Sequence, residues 1–146
     1  MEFPALSEGM PDMMVNETLI LSKNSIVLMV DSVSYTDCTL FLTNMRMVVV
    51  STNYSLDIPL ATIQNESFNQ PILSANNLTG KNPRIDNSDI ELSWKIYFQD
   101  GVGIFLPSFY IALNNMKKSL KHWTSYDVKL SAFVDPNDTS ILYISQ

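Results

Sequence analysis

Histidine, cysteine and glycine are scarce in this 146-residue chain, which has one, one and four of them. The lone cysteine, Cys38, excludes an internal disulfide and agrees with a reducing compartment. No basic residue neighbours it in sequence to lower its pKa, so it reads as a structural thiol. The lone histidine, His122, stands among lysines near the end of a predicted helix, where a solvated cap residue is expected rather than the base of a nucleophilic triad. Together the two leave too few ligands for a zinc site. Gly101 and Gly103, in DGVG, are hairpin glycines that match neither a Walker loop nor a dinucleotide fingerprint. No apolar run approaches the length needed to span a bilayer. The opening MEFPALSEGMPDMM has no basic cluster and no apolar core of a secretory signal, so an intracellular protein, in cytoplasm or nucleus, is expected.

Positive charge is also in short supply. Nine Lys and Arg against fifteen Asp and Glu give a net charge of −6. That argues against direct nucleic-acid contact and against a broad anionic-membrane surface, since both need clustered bases. Carboxylates cluster at Asp86, Asp89 and Glu91 and again at Asp135 and Asp138, but in turn-rich segments lacking the alternating oxygen ligands of a calcium loop. No catalytic, cofactor or metal constellation emerges, and the chain reads as a non-enzyme. Five Asn-x-Ser/Thr sequons, at Asn16, Asn53, Asn65, Asn77 and Asn137, are what a chain rich in these residues produces by chance.

What is present is β-forming residues in abundance. At 46% hydrophobic and 16% charged, the composition is that of a globular domain. One domain of this length buries roughly 68–70% of its unfolded surface. Residues 1–14, with Pro4, Gly9 and Pro11 and no periodicity, read as a loose arm whose Met10, Met13 and Met14 could pack on the domain. The expected domain is 15–123. Strands are predicted at Leu19–Ser22, Ser25–Ser32, Thr39–Thr43, Arg46–Ser51, Asp57–Thr62, Pro71–Ala75 and Ile90–Gln99, with turn residues such as Lys23-Asn24 between them. Gly80 to Asp89 reads as a long exposed loop. In the strand from Ile90, the residues Leu92, Trp94, Ile96 and Phe98 share one face, which assigns Trp94 to the core rather than to ligand stacking. Asp100-Gly101 predicts a hairpin turn, with Val102–Leu106 returning.

From Pro107-Ser108 the period changes. Phe109, Ala112, Leu113, Met116, Leu120 and Trp123 recur at helical spacing, predicting one amphipathic helix over about 108–123, with Trp123 also on the apolar face. Ser108 is placed to cap it or Pro107 to fill its first turn. The extension 124–146 holds two β-like runs, Val128–Val134 and Ile141–Ser145, and a possible extra hairpin on a free sheet edge.

The hairpin in the middle carries a family likeness. TLFLTNMRMVVVS, Thr39 to Ser51, pairs two extended runs across Thr43-Asn44-Met45, with Asn44 suited to bond its own backbone and Arg46 opening the second run. It resembles the signature hairpin of the GRAM domains, a branch of the pleckstrin-homology-like superfamily. Gln70-Pro71, Ala75-Asn76 and Gly80, with Val15-Asn16 and Thr18, resemble the WW-domain-binding protein 2 family, over about Val15 to Leu120. The resemblance implies a two-layer sandwich or barrel of about seven strands capped by one C-terminal helix. It also implies a non-catalytic adaptor, like relatives that act as transcriptional coactivators moving between cytoplasm and nucleus. Those relatives carry a Pro-Pro-x-Tyr tail for WW domains; this chain has no Pro-Pro pair, so WW-domain binding does not transfer. A protein partner of unknown identity is expected.

The alternative is a lipid-headgroup binder, which needs several bases converging on phosphates. The expected first hairpin, around Lys23, contributes one. The remaining candidates are Lys81 with Arg84, and Lys117, Lys118 and Lys121 on the helix, where a solvated face is the plainer reading.

Overall fold

The computed structural model describes residues 2–84 and 90–129, with side chains to Lys121. A small hairpin, β1 (Leu6–Ser7) and β2 (Met10–Pro11), precedes seven longer strands. These are β3 (Leu19–Val30), β4 (Val33–Thr43), β5 (Arg46–Val50), β6 (Ser55–Pro59), β7 (Gln64–Asn69), β8 (Asn76–Pro83) and β9 (Glu91–Phe98). Helix α1 (Phe105–Lys129) follows. The seven strands form one antiparallel sheet in the order β6-β5-β4-β3-β9-β8-β7. β3 is the seam, pairing with β4 along its length and with β9 through Ile26–Val30. Both halves of the sheet feed a single core: Leu40, Met47 and Leu56 from one, Leu78, Trp94 and Ile96 from the other. The predicted seven-stranded, helix-capped β architecture is the one observed.

Alternation explains the inner face. Leu92, Trp94, Ile96 and Phe98 are all 3% exposed or less, as the period-two pattern requires. The central hairpin departs from alternation because it is buried on both faces. Leu40, Leu42, Met47 and Val49 face the main core, while their neighbours Phe41 and Val48, register partners across β4 and β5, are buried outside it. That is why these strands read as continuous apolar runs.

Several local expectations are corrected. Lys23-Asn24 does not end a strand: β3 runs on through a bulge between Lys23 and Ile26, where Ser25 takes φ 60°. The first hairpin turn of the seven-stranded sheet is therefore at Asp31-Ser32, and β4 begins at Val33, six residues before the predicted strand. Asp57–Thr62 divides into the end of β6 and a 3-10 turn, Leu60–Thr62. Pro71–Ala75 is no strand; Ile72 and Leu73 stand in the connection between β7 and β8, and the polar QNESFN is β7 instead. Gly80 lies inside β8, so the predicted loop is strand as far as Pro83, and its residues 85–89 lie outside the described residues.

The Asp100-Gly101 turn leads into the helix rather than into a returning strand. Gly101 and Gly103 both have positive φ (85° and 53°), and the Phe105 amide donates to the Val102 carbonyl at 3.1 Å. The helix starts three residues before the predicted position because Phe105 is a core residue, its ring 5.1 Å from Phe98 and 5.9 Å from Phe109. Pro107 then falls in the first turn, where a missing N–H costs nothing. Ser108 is inside the helix, its amide donating to Ile104, and does not cap it. Phe109, Ala112 and Leu113 are buried, Met116 half-buried, and Leu120 already 42% exposed. The helix continues to Lys129, so the start of the predicted strand 128–134 is helical; the rest of the extra hairpin lies outside the described residues, as do the side chains of His122 and Trp123.

Candidate interaction surfaces

The two ends of the sheet order differ in what covers them. At β6, the edge is already paired: Glu2 bridges to Leu56, and the Phe3 amide donates to the Ser55 carbonyl at 2.9 Å. The arm expected to be loose is thus tied down at several points. Its own hairpin turns at Glu8-Gly9, both with positive φ, and the Asp12 amide returns to the Ala5 carbonyl. At β7, pairing within the described residues is on one side only, to β8. The following connection presents Ile72 and Leu73 at 97% and 96% exposure. Because Asn76 pairs with Phe98, this connection lies at the same end of the sheet as the lead-in to α1, where Ile104 is 75% exposed.

The arm is clasped by a buried charge cluster that no sequence motif announced. Arg46, 5% exposed, donates through Nε to Glu17 Oε2 at 2.7 Å, through Nη2 to Glu17 Oε1 at 3.2 Å and the Asp12 carbonyl at 2.7 Å, and through Nη1 to Asp57 Oδ2 at 3.3 Å. Thr43 Oγ1 adds a 2.7 Å bond to Glu17 Oε2 and accepts the amides of Met45 and Arg46. Thr43 therefore closes the hairpin turn locally. Asn44 does not bond its own turn as expected; its amide reaches across to the Thr18 N–H and the Asn16 carbonyl. Burial pushes the Glu17 carboxyl up, but the bonds from Arg46, the Met14 amide and Thr43 outweigh it and hold it below its ordinary range. For Asp57 burial wins over the attraction of Arg46, and its carboxyl is raised. An arginine inside an apolar run was the available signal, because such a residue is buried only when paired.

The three helix lysines, Lys117, Lys118 and Lys121, are all exposed. Lys117 Nζ lies 3.6 Å from Glu66 Oε1 on β7. Lys81 and Arg84 are each paired with carboxylates. Lys81, 3.8 Å from Glu91, lines an open cavity of about 300 Å³ with Lys95, Asp31, Thr79 and Ser93. Arg84 bonds Asp31 at the rim of that cavity and lies 3.9 Å from Glu2 Oε1. Glu2 is also met by the Tyr54 hydroxyl, which donates to Oε2 at 2.5 Å, and Phe3 stands edge-on to the Tyr54 ring at 5.4 Å. Tyr54 stacks in turn on Tyr35 at 4.2 Å. Burial, then the Glu2 carboxylate, push the Tyr54 phenol far above its ordinary range, so it serves only as a donor to that carboxylate.

Cys38 and Trp94 are where they were expected. Cys38 is 1% exposed, its thiol donating to the Tyr35 carbonyl at 3.3 Å and pushed up by burial. Trp94 is 2% exposed and donates through Nε1 to Asn82 Oδ1 at 2.8 Å. Asn82 in turn donates to Thr62 Oγ1 and the Pro59 carbonyl, tying β8 to the turn after β6. Asp86, Asp89, Asp135 and Asp138 lie outside the described residues. Among the described residues, no group of three His, Cys, Asp or Glu side chains is placed to hold a metal ion, and no helix is long and apolar enough to cross a membrane.

No protein-family model matches the sequence, and no curated protein does. The structure is similar to the Vps36 N-terminal PH domain, with a TM-score of 0.61 and 17% identity over 79% of this chain and 92% of that one. It is also similar to a chain of the 8S snRNP assembly intermediate, with a TM-score of 0.53 and 11% identity over 81% and 91% of the two chains. At these identities the likeness is one of fold, and the fold is pleckstrin-homology-like.

Proposed function

We propose that the chain is a non-catalytic docking module that binds a protein partner along the β7 edge and over the Ile72–Leu73 connection. The observation that carries this reading is the pair of adjacent aliphatic side chains, 97% and 96% exposed, beside a strand that pairs on one side only. Exposed apolar side chains in a cluster mark contact sites, and an edge strand offers main-chain bonds to an added strand. The finer assignment is an adaptor role like that of the GRAM domains it resembles in sequence, in cytoplasm or nucleus, without WW-domain docking.

A photo-crosslinking residue at position 72, with one at Ile111 as control, tests it. A defined protein adduct from position 72 alone, lost when Leu73→Asp is added beside the crosslinking residue, is expected. The competing outcome is salt-sensitive sedimentation with phosphoinositide vesicles that disappears on Lys117→Glu/Lys118→Glu/Lys121→Glu. That result would move the function to the helix face and overturn the proposal.

A further inference from the structure

The opposite edge shows what it binds, because the chain's own second and third residues sit on it. We propose that the Tyr54 and Arg84 side of β6 is a docking site for a peptide bearing a carboxylate and an aromatic ring on consecutive residues, and that Glu2-Phe3 fills it in cis. This surface is independent of the β7 edge.

The site has three components, each supplied by a different part of the fold. β6 offers main-chain pairing at Ser55 and Leu56, taken by Phe3 and Glu2. A carboxylate receptor is built from the Tyr54 hydroxyl, 2.5 Å from Glu2 Oε2, and the Arg84 guanidinium, 3.9 Å from Glu2 Oε1. Asp31, bonded to Arg84 from the other side, fixes the guanidinium in place. An aromatic platform completes it: the Tyr35–Tyr54 stack, against whose outer ring Phe3 stands edge-on at 74°. Main-chain pairing with side-chain pockets is the general form of strand-addition recognition.

The cis occupant is held loosely enough to exchange. Phe3 is 64% exposed and takes φ 54°, a left-handed conformation that costs a non-glycine residue free energy. The Glu2 and Arg84 side chains are 42% and 27% exposed, so water and salt weaken their pairing. The arm is anchored elsewhere, through Asp12 at Arg46, so residues 2–3 can leave the edge while the rest stays seated. A tethered occupant that holds the site nine-tenths of the time weakens binding in trans about tenfold.

The test is fluorescence anisotropy with a labelled peptide Glu-Phe-Pro-Ala-Leu-Ser, matching residues 2–7, against the full chain and its Glu2→Ala/Phe3→Ala variant. The variant is expected to bind at least about tenfold more tightly than wild type. A peptide with Ala-Ala in place of Glu-Phe should not bind. Adding Tyr54→Phe, which keeps the ring, or Arg84→Ala to the variant should weaken the peptide several-fold, with melting temperatures unchanged. Equal affinity for wild type and variant, no binding to either, or indifference to both receptor substitutions would overturn the proposal. So would a wild-type dimer that E2A/F3A dissociates, which would give the seat to a second copy's arm.

Discussion

Arg46 Nε lies 2.7 Å from Glu17 Oε2, and the two side chains are 6% and 0% exposed. A buried pair is costly to break by halves, since removing one partner strands the other charge. Arg46→Met is expected to lose about 3–5 kcal/mol of stability. The double variant Glu17→Met/Arg46→Met should recover much of that loss. Denaturant titrations of the three proteins decide it; a double variant no more stable than the single one would deny the pairing its role.

The same pair sets the response to acid. Glu17 is held below its ordinary value of 4.5, so its contribution is complete above that value and fades as pH falls through the lower folded value. Asp57 is raised above 3.8 and works the other way, because the folded chain takes up its proton first. Between about pH 5 and 3, Glu17→Gln should flatten the loss of stability and Asp57→Asn should steepen it. Thermal melts across that range read both slopes.

Gly80 is a position where any side chain collides. A Cβ there would meet Trp94 Cζ2 at 2.4 Å, ring against backbone. Gly80→Ala is expected to cost about 1–3 kcal/mol, as overpacking does. A changed tryptophan emission accompanying the shifted denaturation midpoint would place the strain at the ring.

Asn82 satisfies the Trp94 indole and links β8 to Thr62 and Pro59. Asn82→Ala leaves the buried N–H unmatched, and a loss of about 1–3 kcal/mol is expected. Asn82→Asp tests the same contact with its acceptor retained, and should cost less when the added carboxyl is protonated at low pH.

Ile72 and Leu73 make the opposite prediction. Exposed as they are, Ile72→Asp/Leu73→Asp should change stability by no more than about 0.5 kcal/mol. Unfolding by urea would show it. A large loss would mean the two are structural and not a contact surface.

The parts of the fold legible in the sequence were those with a plain apolar signal, either the continuous runs of the doubly buried central hairpin or the regular period of an element with one face buried. Leu92 to Phe98 and Phe109 to Leu113 follow simple periods, and both elements fall where those periods put them. β7 was invisible because Gln64–Asn69 is an edge strand whose polar residues face solvent, while Ile72-Leu73, with the better β propensity, carries no ladder. The helix start was hidden because an Asp-Gly turn can lead into a strand or a helix alike. The charge cluster escaped because Glu17 and Arg46 are 29 residues apart, and only the strand register brings them together. Lys117 looked free on its helix face until β7 placed Glu66 beside it.

The seating of Glu2 and Phe3 on β6 bears on how the protein is handled. An affinity handle or fluorophore fused just ahead of Glu2 would crowd Tyr54 and Arg84, and would force the first residues either to stay put or to peel away. Interactions catalogued with such a fusion would therefore report on an altered β6 margin, and only the β7 margin would be sampled in its natural form.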